Sequence, residues 1–100
     1  MRRGSTPTNT FTLDIDLRQA TVYVSYAQGG GVIVEKTGAD LTVEEDKIIV
    51  HLSQEDTLAF KNGIVMIQIR YVFPTGEADA SNIMRTTAEE IIKDGVIEYV

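Results

Sequence analysis

The sequence predicts a mainly β fold: an antiparallel β-sandwich of about seven short strands with one or two short helical turns. Three observations carry this expectation. Apolar residues recur at every second position in separate runs, which lines one face of a pleated strand. β-branched and aromatic residues crowd those runs. Short turns rich in Gly, Asn, Asp and Pro separate them.

The longest run is Val65–Phe73, with Val65, Ile67, Ile69, Tyr71 and Phe73 on one side and Met66, Gln68, Arg70 and Val72 on the other. The second side is mixed, so partial exposure is expected there. Pro74-Thr75-Gly76 reads as a turn, because Pro presets φ and Gly suits the last position. Asp79–Thr87 then returns. Ile83 and Met84 are adjacent and break the alternation, which predicts a bulge or a strand flanked on both faces.

Taken in order, Met1–Asn9 is polar and reads as a flexible N-terminal arm, leaving Thr10–Val100 as a single sandwich domain. The arm is either a frayed end or a segment that orders against a neighbouring subunit, with Arg2 and Arg3 pairing to acidic groups there. Phe11, Leu13, Ile15 and Leu17 alternate with polar residues as a half-buried strand. Ala20–Ala27 and Val32–Lys36 form a hairpin around Gln28-Gly29-Gly30-Gly31. Leu41–Val43 is a short strand, Glu44-Glu45-Asp46 a wet turn, and Ile48, Val50 and Leu52 face inward. Ser53, with Asp56 three residues on, predicts a capped helical turn that ends near Asn62-Gly63. Thr87-Ala88-Glu89-Glu90 predicts a second short helix through Lys93. Val96–Val100 is a terminal strand or tail.

One hundred residues suit one domain, and a chain of this size buries roughly 65% of its unfolded surface. The chain has no Cys, so disulfides and thiol chemistry are ruled out. No apolar run reaches the roughly 20 residues of a membrane span, and no apolar core follows the two arginines as in a signal peptide. Net charge is −6, from fifteen acids against nine bases. That balance argues against a nucleic-acid partner and against anionic membranes.

Reactive groups are sparse. His51 is the only histidine, and its place opposite the inward residues makes it a surface residue rather than the base of a hydrolase. No Ser sits in a GxSxG elbow. Asp14 and Asp16 share a strand face, and Asp40, Glu44, Glu45 and Asp46 lie in turns. Solvated acids explain these better than a cation site, since the EF-hand spacing is absent. Gly29-Gly30-Gly31 lacks the Lys-Ser/Thr of a phosphate loop. We therefore expect no catalytic residue, no cofactor, no metal and no small-molecule substrate. Tyr23, Tyr71, Tyr99 and Phe73 suit a carbohydrate-stacking platform or, more commonly, core and interface positions. Met66, Val72 and Ile49 lie on nominally outer faces. They form either an apolar contact patch or part of a core that covers both faces.

Several phrases together resemble a family of short proteins encoded in phages and prophages of Gram-positive, gut-type bacteria. These are RRGSTPTNTFTLDID, VYVSYAQGGGVIVEKT, VHLSQEDTLAF, IQIRYVFPTGEADASNI and KDGVI, which span nearly the whole chain. The pattern of IQIR, a Gly turn and SNI is also similar to the N-terminal β-domain of siphophage upper baseplate proteins, mainly over Ile64–Val96. The resemblance implies a virion component of the tail or baseplate, assembled in the host cytoplasm, whose partners are other virion proteins and copies of itself in a ring. The candidate contact residues are Arg2, Arg3, Phe11, Met66 and Val72. A small phage accessory protein that binds a host protein is the alternative.

Overall fold

The computed structural model describes residues 1–100. Eight strands form two antiparallel sheets in a sandwich-like arrangement, as the alternation implies. They are β1 (Thr8–Thr12), β2 (Thr21–Gln28), β3 (Gly31–Thr37), β4 (Leu41–Glu44), β5 (Lys47–His51), β6 (Gly63–Val72), β7 (Ala78–Ala80) and β8 (Met84–Ala88). The smaller sheet has the order β1-β5-β4. The larger has the order β3-β2-β6, and β7 and β8 share the far side of β6.

Local chemistry accounts for the joints. Gly29 and Gly30 both hold positive φ, at 59° and 83°, as a two-residue hairpin turn between twisted strands demands. The turn after β6 is closed by Gly76 N–H to the Phe73 carbonyl and Phe73 N–H to the Glu77 carbonyl. Ser53 caps α1 (Gln54–Leu58): its hydroxyl accepts from Asp56 N–H at 3.1 Å, and its own N–H donates to Asp56 Oδ2 at 2.9 Å. A reciprocal cap of this kind is worth about 1 kcal/mol.

The irregularity expected at Ile83-Met84 is a bulge. Arg70 pairs with Ala80 and Ile67 with Met84, so three steps along β6 face four on the returning strand. Ser81 secures the break, accepting from Ile69 N–H at 3.0 Å through its hydroxyl and donating its own N–H to the Ile69 carbonyl.

One core lies between the sheets. Val22, Val24 and Tyr26 from β2 and Val65, Ile67 and Ile69 from β6 meet Ile48, Val50, Leu52 and Phe60. Tyr26 is fully buried and stacks obliquely on Phe60 at 6.0 Å. Its hydroxyl accepts from Asn9 Nδ2 at 2.8 Å, which satisfies a phenol that would otherwise be stranded in an apolar site. Burial raises the Tyr26 pKa above the ordinary phenol value; the Asn9 bond opposes that and nearby Asp56 adds to it.

Three expectations need correcting. The run from Phe11 does not continue as a strand to Leu17. β1 stops at Thr12, and the following loop is held by Leu13 N–H to the Asp46 carbonyl and Leu17 N–H to the Glu45 carbonyl. Leu17 still reaches the core, fully buried. No helix forms after Thr87: Glu89 makes a parallel bridge with Arg2 instead, and Ile91–Lys93 is irregular.

The third correction concerns Met1–Asn9, which is strapped to its own chain rather than extended as an arm. Arg3 N–H donates to the Glu89 carbonyl, and Glu89 N–H to that of Met1. Leu52 N–H donates to the Pro7 carbonyl, and Thr57 Oγ1 donates to that of Ser5 at 2.8 Å. Thr8 and Asn9 already belong to β1. The physical reason is backbone pairing: the polar segment supplies donors and acceptors that the end of β8 and the rim of α1 leave unmet.

Candidate functional site

β6 is paired on both sides, so its outward residues lie near the centre of the large sheet. The smaller sheet covers only the inner face. On the outer face stand Tyr23, Ser25 and Ala27 from β2, Met66, Gln68, Arg70 and Val72 from β6, and Val32 and Glu35 from β3. Two shallow hollows cross this face. One, of about 270 Å³, is lined by Tyr23, Val72 and Ala78 among others. The other, of about 340 Å³, is lined by Ala27, Val32, Met66 and Ile83 among others. Ser25, Glu35 and Arg70 line both, so a polar strip separates two apolar ends. Ser25 Oγ donates to Glu35 Oε1 at 3.4 Å, and the Gln68 side chain donates to the Ser81 carbonyl at 3.0 Å. Apolar side chains remain open here: Val32 is 60% exposed and Ile83 50%.

The five candidate contact residues divide. Met66 and Val72 lie on this outer face, one in each hollow, and are half-buried. Phe11 packs against the core from β1 and is half-buried, away from this outer face. Arg2 pairs with Glu89 at 3.2 Å and donates to the Glu90 carbonyl at 3.0 Å. Arg3 is spent within the chain. Its guanidinium donates to the carbonyls of Phe60 at 2.6 Å and Leu58 at 3.0 Å, and pairs with Glu90 at 2.7 Å and Asp94 at 3.5 Å. Both arginines thus find acidic groups, but on their own chain.

The outer-face residues that sequence reasoning passed over as contacts are Arg70, Val32 and Ile83. The same period-2 count that singled out Met66 and Val72 places Arg70 between them. Val32 and Ile83 sit at bulges, where that count slips. Ile49 does not join the patch: it lies on the smaller sheet, between Thr10 and Thr42. The aromatics do not form a platform either. Tyr71 meets Phe73 edge-on at 5.8 Å, Tyr23 stands on the outer face, and Tyr99 is in the tail.

The groups with chemical potential are engaged locally. His51 Nδ1 meets Thr8 Oγ1 at 2.6 Å across the β1–β5 pair, on the exposed side. Asp16 receives the Arg18 guanidinium at 2.7 Å, and that side-chain bond chiefly holds its pKa at about 2. No group of three or more His, Cys, Asp or Glu side chains is placed to hold a metal. The outer face itself presents two apolar hollows about a polar strip.

Neither a family model, a curated protein nor a solved structure matches this chain.

Proposed function

We propose that this protein is a non-enzymatic structural component of a phage virion, from the tail or baseplate region, which acts through subunit–subunit assembly. The single observation that carries the reading is the outer face of the large sheet, where Tyr23, Val32, Met66, Val72 and Ile83 are left without a second layer. Two apolar patches left open about a polar strip suit a contact surface in a soluble protein. The resemblance to short phage and prophage proteins names the setting, and the acidic charge disfavours a role on nucleic acid. Met66 and Val72 are the contact residues retained. A repeated contact between two different patches would close a ring of copies.

Mass spectrometry and imaging of particles purified from a host that carries the gene test this. We expect the chain in the particle at a fixed stoichiometry, and its loss when Met66→Lys and Val72→Lys are combined. Absence of the wild-type chain from particles, with capture of a host protein instead, would replace virion assembly by the accessory-protein alternative.

A further inference from the structure

The C-terminal segment is unlike any other exposed part of the molecule. Val96, Ile97, Tyr99 and Val100 are apolar and solvent-exposed, and Tyr99 and Val100 touch almost nothing. All four are residues that favour strands, and only Glu98 interrupts them. The segment leaves the body at a defined point. Gln54 donates its side-chain amide to the Ile97 carbonyl at 3.0 Å and accepts from Ile97 N–H at 2.9 Å. This two-bond exchange is the one that neighbouring residues make in a sheet.

The same molecule carries one fitting acceptor. β3 is the free edge of the large sheet, seven residues long, with Val32 and Ile33 exposed along it. The other edges are poor. β1 presents Thr8, Thr10 and Thr12. β4 is four residues long and ends at the acidic turn. β7 has three residues. Beyond β8, the Arg2–Glu89 bridge already occupies the edge. A long, apolar, unpaired edge templates strand addition.

We propose that Val96–Val100 of one copy adds as a strand to the β3 edge of the next copy, extending its large sheet. The inference rests on the assembly reading and adds a second contact beside the outer face. Donor and acceptor are different surfaces of one chain, so every copy gives a strand and receives one, and the contact repeats until a ring closes.

The absence of native Cys makes disulfide trapping clean. Tyr99→Cys in one preparation is mixed with Ile33→Cys in another. Glu35→Cys, at an exposed edge position, serves if Ile33→Cys disturbs the strand. Under mild oxidation we expect the mixed disulfide as the main product, and loss of the faster-sedimenting species when Val96–Val100 is deleted or Ile33→Lys is introduced. Only like-with-like disulfides, or none, would overturn the proposal. So would closure within one chain when both cysteines are carried together at high dilution. A deleted chain that still enters particles refutes the tail contact alone. A mixed disulfide from a chain absent from particles refutes the virion reading alone.

Discussion

The two ends of this chain have opposite fates. Met1–Asn9 is polar, carries two arginines and is tied down along its length: Arg3 on the rim of α1, Ser5 to Thr57, Pro7 to Leu52, Asn9 to Tyr26. Ile92–Val100 is richer in apolar residues, yet Ile92, Tyr99 and Val100 stand in water, with Gln54 holding only Ile97. The difference teaches that docking here is decided by unmet backbone groups rather than by hydropathy. The N-terminal segment meets carbonyls at Leu58, Phe60 and Glu89 that lack other partners. The C-terminal segment finds no such row on its own chain, which is the physical reason to look for one on another copy.

The contrast can be broken from either side. The largest effect should follow removal of Met1–Asn9. This strips β1 of its first two residues and leaves the Tyr26 hydroxyl and the Leu58 and Phe60 carbonyls unpaired. We expect loss of cooperative unfolding by calorimetry, since a domain's whole stability is only about 5–15 kcal/mol. Next, Arg3→Ala should cost roughly 2–3 kcal/mol in urea titration, because charge-assisted bonds to half-buried carbonyls are lost together. Arg3→Lys should not restore it, since an ammonium cannot span the Leu58 and Phe60 carbonyls as the planar fork does.

A smaller effect is expected at Asp56, beside the point where Gln54 holds the tail. Desolvation pushes its carboxyl up, but the Ser53 backbone N–H and Lys36 Nζ at 2.9 Å outweigh that, so its pKa lies below the ordinary 3.8 of an aspartate. A carboxylate depressed on folding stabilises above its unfolded pKa, and that stability is lost as pH falls through the folded one. Asp56→Asn should therefore cost about 1 kcal/mol near neutral pH and progressively less below 3.8, read from melting temperatures across a pH series. Deleting Val96–Val100 should have the smallest effect on stability, within about 0.5 kcal/mol, as for a surface change. A cost like that of losing Met1–Asn9 would show that the two ends are alike after all.

The legible parts of the molecule are those whose rules are local. Alternation placed Ile48, Val50 and Leu52 inward and Val65, Ile67 and Ile69 on one shared side, and all six are buried. Ser53 with Asp56 marked the capped turn, and Ile83-Met84 marked the bulge. Met66 and Val72 were legible as outward residues of a central strand. The strap was not, because its partners are distant in the chain: Arg3 meets Leu58 and Phe60, 55 and 57 residues on. Arg3 reads as a free cation until Leu58, Phe60, Glu90 and Asp94 are brought to it. Glu89 and Glu90 have the composition of a helix's first turn, but strand pairing with the N-terminus claims that backbone first.

Sedimentation velocity of the full chain over a concentration series, beside the Met66→Lys, Val72→Lys double variant, tests most directly whether this surface drives assembly. We expect the wild type to shift from monomer to a discrete larger species as concentration rises, while the folded double variant stays monomeric. A wild type that sediments as one monomer throughout, indistinguishable from the variant, would contradict self-assembly through the outer face.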